Sequence, residues 1–134
     1  MEQDLRNTSL SVGKTVRTLL LADKNVTDIT TQIIPVAVAP ETLLPYVVYR
    51  RAELSTIMTK SGYRASDSVI IEALCCAASY SQSIALAEAV RYALERRRPN
   101  PEGCVAIRAC RLDASEELYE GDAYIQSLNF QITI

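Results

Sequence analysis

"SVIIEALCCAASYSQSIALAEAVRYALERRR", residues Ser68 to Arg98, changes its hydrophobic period halfway. Up to Ala78 the side chains alternate, with Val69, Ile71, Ala73, Cys75 and Ala77 on one face. Ile70, Leu74, Cys76 and Ala78 form the other face, interrupted only by Glu72. A period of two is a strand. After Ser79 the apolar residues Ile84, Ala87, Val90 and Leu94 recur at helical spacing. Ser79 or Ser81 suits the helix N-cap, because a hydroxyl accepts an otherwise orphaned backbone N–H. Glu88–Arg91 and Arg91–Glu95 are placed to pair on the wet side. Arg96, Arg97 and Arg98 sit at the negative end of the helix dipole, and Pro99 and Pro101 stop the helix. An apolar strand turning straight into an amphipathic helix is the unit of a sheet with helices laid on it. Both strand faces are largely apolar, whereas an antiparallel strand usually wets one. The second face therefore needs a cover, inside the chain or from another copy.

Downstream, "YIQSLNFQITI" (Tyr124–Ile134) is the cleanest strand, with Leu128, Phe130, Ile132 and Ile134 alternating with polar residues. "GCVAIRACRLDAS" (Gly103–Ser115) reads as a strand before it, and "EELYEGDAY" as an acidic connection turning at Gly121. Upstream, "LLPYVVYRRAELSTIMT" (Leu43–Thr59) opens the main sheet after Pro45. Its expected faces are Arg51, Glu53 and Ser55 against Ala52 and Leu54. "KSGYRASD" (Lys60–Asp67) is a turn centred on Gly62. "TQIIPVAVAP" is a short extended piece that Pro35 and Pro40 confine to a sheet edge, and "DKNVTD" is a loop. Residues 9–22 form the first helix, with Val12, Val16, Leu19 and Leu20 on one face and Asn7, Thr8 or Ser9 as cap. Residues 1–8 are expected to be flexible. The fold class is α+β: a single two-layer domain over residues 1–134, a mainly antiparallel sheet of about four main strands, and two helices on one face.

Gly13-Lys14-Thr15 spells the end of a phosphate loop, G-x-x-x-x-G-K-[ST]. The first glycine of that pattern is replaced by Thr8, and no buried strand leads into it. The helical reading is the stronger one. The chain has no histidine, which removes the commonest general base and metal ligand. Cys75, Cys76, Cys104 and Cys110 form no C-x-x-C pair and read as small buried apolar residues in a reducing compartment. No catalytic, cofactor or metal residues are expected. With two acids in the first four residues and no apolar run of membrane-spanning length, neither a secretory signal nor a membrane span is expected. The formal net charge of −2 argues against strong nucleic-acid attraction, but charge is uneven. Arg91–Arg111 holds six arginines, while Leu112–Ile134 holds five acids and no base.

"LLPYVVYR", "ASYSQSIALAEAVRYALE" and "RLDASEELYEGDAYIQSLNFQI", in this order and preceded by Ile33-Ile34-Pro35, resemble the tail completion, or tail terminator, proteins of long-tailed bacteriophages. The resemblance covers the chain from about Val12 to Ile134. It implies a structural virion protein without catalysis or cofactor. Such a protein closes into a ring, typically hexameric, at the head-proximal end of the tail tube. There it stops tube polymerisation and offers a surface to the head connector. DNA passes through the channel without specific binding. The implied partners are other copies, the tail tube protein and the connector or stopper. The implied setting is the neck-proximal tail, assembled in the bacterial host cytoplasm from subunits that often start as monomers. A head–tail stopper or adaptor is the alternative within this class, and a nucleotide-binding protein or a DNA adaptor using Arg91–Arg111 lies further off.

Candidate contacts follow from charge and exposure. The hairpin residues Lys60, Tyr63 and Arg64 carry two cations and an aromatic, a common composition for an interface anchor. Glu116 and Glu117 carry the opposite charge, so a neighbour's hairpin is expected to meet them head to tail. Ile70 and Leu74 offer the uncovered sheet face. Asp113, Glu120 and Asp122 are candidate channel-lining acids, which would repel phosphate and let the duplex slide.

Overall fold

The computed structural model describes residues 8–58, 64–96 and 99–134. The element order is α1 (Val12–Leu21), α2 (Lys24–Thr27), β1 (Ile33–Pro35), β2 (Tyr46–Met58), β3 (Arg64–Ala77), α3 (Tyr80–Glu95), β4 (Ala109–Glu120) and β5 (Ala123–Thr133). The five strands form one sheet in the order β1-β2-β3-β5-β4. Only β1 runs parallel to its neighbour. The β2–β3, β3–β5 and β4–β5 pairs are antiparallel. This is the α+β, helices-on-one-face architecture read from the sequence, with the edge piece at Ile33–Pro35 forming a short fifth strand.

The sheet is two-faced because alternation in its long strands stays in phase. Val69 lies opposite Ile132 and Ile71 opposite Phe130, and all four are fully buried beneath the helices. Val47 and Tyr49 continue that layer from β2, opposite Cys75 and Ala73. Val12, Val16, Leu19 and Leu20 of α1 and Leu86, Val90 and Leu94 of α3 close it from above. Among the described residues, Phe130 is the largest fully buried side chain. Gly13 lies where α1 crosses Tyr49; an added Cβ would come within 3.2 Å of the Tyr49 ring. The last strand ends tied in, with Ile134 N–H donating to the Asp67 carbonyl.

Caps follow the sequence. Thr8 Oγ1 accepts from Leu10 N–H at the helical start, and Ser79 Oγ accepts from Gln82 N–H at 3.2 Å. A short 3-10 turn, Ser9–Ser11, leads into α1.

Six local expectations are corrected. "DKNVTD" contains the one-turn helix α2, because Asp23 Oδ1 accepts from Asn25 and Val26 N–H and Val26 is fully buried. The buried face of α3 is Ser83, Leu86, Ala87, Val90, Ala93 and Leu94, leaving Ile84 only half-buried. A bulge leaves Ala52 unpaired in β2, so Arg51 and Glu53 do not share a face: Arg51 stays in phase with Val47 and Tyr49, opposite Ile71 on the helix side, and Glu53 is shifted to the open side, opposite Ile70. β3 begins at Arg64, so the turn before it is shorter than Lys60–Asp67; Gly62 lies outside the described residues. Gly103–Arg108 is an irregular connection and not a strand. Glu116–Glu120, expected as a connection, continues β4, and the chain reverses in two residues at Gly121 and Asp122. Both have positive φ, 59° and 62°, as a tight I′ hairpin requires. Acids are at home there because β4 is an edge strand, where charge discourages unwanted pairing.

Candidate subunit-contact surfaces

The GKT residues hold no phosphate cradle. Lys14 Nζ donates to the Gly103 carbonyl at 3.0 Å, and the fully buried Thr15 donates its hydroxyl to the Val105 carbonyl at 2.8 Å. They pin the α3–β4 connection onto α1. Asn100 helps from within the connection, accepting from Ile107 N–H at 2.9 Å. The helix they occupy follows a 3-10 turn, whereas a phosphate loop follows a strand.

The cysteines are free thiols. Burial pushes Cys75 far up, with Cys76 adding to it, and pushes Cys110 up to about 12, with the Glu95 charge adding to it. A thiol that stays protonated is a poor nucleophile and a poor metal ligand. No group of three or more Cys, Asp or Glu among the described residues could hold a metal. No described helix is long and apolar enough to cross a membrane.

What remains are surfaces. The sheet face opposite the helices carries Ile70 and Leu74, both half-buried, opposite Glu53 and Val48 on β2 and Gln131 and Ser127 on β5. Arg50 and Glu72 meet there at 2.8 Å across the β2–β3 ladder. The pair answers the one charge that interrupts this face in the sequence. The face is thus half apolar around this internal ion pair, and no described element covers it.

Lys60 and Tyr63 lie outside the described residues, and only the backbone of Arg64, paired with Met58, is described. Of the acids, Glu117 points to the helix side. It accepts from Tyr80 Oη at 2.6 Å and from Gln126 Nε2 at 3.1 Å. These bonds hold its carboxyl below the usual range, Tyr80 first and Gln126 second. Glu116 lies on the opposite face of the same exposed strand, without an ion-pair partner among the described residues. Glu117 is therefore occupied within the subunit, and Glu116 is available to a neighbour. The three channel candidates do not cluster. Asp113 sits at the β4 bulge, 3.7 Å from Arg111. Glu120 ends β4 and Asp122 lies in the hairpin turn, about seven to nine residues on, or roughly 20 Å or more from Asp113 along the strand.

The sequence reading missed the opposite edge of the sheet. Leu10, Lys14, Val36 and Arg51 line a hollow of about 460 Å³ beside β1. Nothing in their spacing marks it: Val36 sits in the bland run "VAVA", and Arg51 reads as one more polar residue of an alternating strand.

Two layers with an uncovered sheet face and exposed, charged edges define a protein that works through its surfaces. The match to known proteins gives the class a name. A family model described as "Tail completion protein gp17" matches residues 14–134, and the chain belongs to that family. It is a structural protein of phage tails. A chain in the solved structure titled "Virion of native gene transfer agent (GTA) particle" shares the fold, with a TM-score of 0.69 at 18% identity. That match covers 95% of this chain and 98% of the other. No curated protein sequence matches.

Proposed function

We propose that this protein is the tail terminator: copies close into a ring, hexameric in the simplest reading, at the head-proximal end of the tail tube. The ring stops tube growth and presents a surface for head joining, and DNA passes through without specific binding. Family membership over residues 14–134 carries this reading. The virion context of the structurally similar chain supports a place in the particle; its neck-proximal position and its assembly in the host cytoplasm are part of the proposal. The open sheet face around Ile70 and Leu74 supports self-association, because half-buried apolar surface gains from a cover. The hairpin residues Lys60, Tyr63 and Arg64 are further proposed contacts. Asp113, Glu120 and Asp122 stay proposed as channel-facing, at two separate heights.

Electron microscopy of the purified protein mixed with tail tubes tests the reading. A cap at one tube end, with tube growth arrested, is expected. Density on the head connector alone would replace the terminator with a stopper.

A further inference from the structure

The two edges of the sheet are chemically opposite. At the β1 edge, Leu10 and Val36 are 66% and 71% exposed, an unusual state for large apolar side chains. They line the hollow together with Lys14 and Arg51, and no acid lines it. Arg51 has no ion-pair partner among the described residues, and the bond from Lys14 to a neutral carbonyl leaves its charge uncompensated. At the β4 edge beyond its bulge, Leu118 is 44% exposed and shares the open sheet face with the acids Glu116 and Glu120, while Tyr119 lies on the other face against the Tyr124 ring. Each of these edge regions thus exposes apolar surface beside charge of one sign, and the signs differ.

The β1 edge also carries strain. Val36 has φ 66°, a left-handed conformation that β-branched residues rarely adopt. It is held there by Val36 N–H donating to Tyr49 O and Ala37 N–H donating to Pro35 O, both at 2.7 Å. Strain of this kind persists where surrounding structure over-determines it, and it clusters at functional sites. Here its effect is to hold an apolar side chain outward, over the hollow.

We propose that the β1 edge of one copy receives the β4 edge of the next, with Leu118 packed against Leu10 and Val36, and with Glu116 facing Lys14 and Arg51. This deepens the ring reading and rests on it. β1 and β4 are the outermost strands on opposite sides of the sheet. A contact between them is heterologous, and identical heterologous contacts propagate until the rotation closes a ring. A two-fold dimer through either edge would set like charges together, which disfavours it.

Charge reversal on folded protein tests the contact. Arg51→Glu and Glu116→Arg, each checked by circular dichroism, should each need at least about tenfold more protein for half-maximal tube capping. The double variant, which restores opposite signs, should recover most of that loss. Val36→Gly, which relieves the backbone while removing the apolar contact, should melt no lower than wild type yet cap more weakly. Capping at wild-type efficiency by both charge variants overturns the edge contact. If Lys60→Glu with Arg64→Glu then abolishes capping, the ring reading stands and the β2–β3 hairpin holds the ring instead. Wild-type protein that never associates with tubes or with itself overturns the ring reading, and the contact with it.

Discussion

β3 belongs to both faces of the sheet, and its alternate residues lead different lives. Val69, Ile71, Ala73 and Cys75 are fully buried under α1 and α3. Ile70, Glu72 and Leu74, one position out of phase, are half-buried and face no described element. The composition of the two rows is nearly the same; what differs is the cover. An apolar row is therefore not in itself a core. The helix-covered row stabilises the subunit, whereas the open row has apolar surface left to bury when copies meet.

The largest test of this contrast lies on β5. Phe130→Ala should cost about 3–5 kcal/mol, because it empties the centre of the covered layer. Asn129→Ala, the adjacent residue facing the open side opposite Glu72, should cost under about 1 kcal/mol. Equal losses in a denaturant melt would mean the two faces are not distinct.

A sharper version uses one residue type on one strand. Ile71→Ala should lose about 2–5 kcal/mol of monomer stability. Ile70→Ala should lose clearly less in the monomer, yet weaken assembly on tube ends. If Ile70→Ala melts like Ile71→Ala and caps tubes normally, the open face is a second core and not a contact surface.

The GKT segment sharpens the covered side. Thr15→Val keeps the shape but leaves the Val105 carbonyl without its donor, which should cost about 1–3 kcal/mol. ATP with Mg²⁺ should give no saturable heat in calorimetry with either form. Micromolar binding lost on Lys14→Ala would restore the nucleotide reading.

Acid gives the smallest effect. Glu95 accepts from Leu112 N–H at 2.6 Å and from Arg91 at 2.9 Å, joining α3 to the edge strand β4. Burial alone would raise its pKa, but the Leu112 N–H and the Arg91 charge outweigh it and hold the carboxyl below 4.5. A lowered folded pKa stabilises the fold above the unfolded value, and that contribution is lost as pH falls through the folded one. Melting temperature should therefore drop modestly below about pH 4.5, and the drop should shrink in Glu95→Gln. An unchanged acid slope in that variant would remove Glu95 from this role.

Much of the covered layer was legible because it rests on short-range pattern. The alternation in Leu128–Ile134 and in Val69–Ala77, the helical face of Val12–Leu20 and the Ser79 cap each follow from a few neighbouring residues. Misreadings fell where a long-range contact overrode local chemistry. Glu116–Glu120 looks like a loop by charge, yet pairing with β5 makes it strand up to a two-residue turn. Gly103–Arg108 looks like a strand by composition, yet Lys14 and Thr15 capture its carbonyls and hold it out of the sheet. The candidate contacts divide in the same way. The half-apolar open face was visible as an unexplained second apolar row. The β1-edge hollow was not, because it joins Leu10, Val36 and Arg51 from three distant stretches.

The sequence by itself determined the class of the fold, much of its core and the family. Period, caps and turn residues act over a few bonds and need no knowledge of the rest of the chain. Only the tertiary structure decided which surfaces face outward and with what charge. The bulge at Ala52 turns Glu53 to the open side and leaves Arg51 on the helix side, strand order sends β1 and β4 to opposite edges, and bonds from Tyr80 and Gln126 occupy Glu117 while leaving Glu116 open. Each of these depends on groups far apart in sequence meeting in space, which local pattern does not encode.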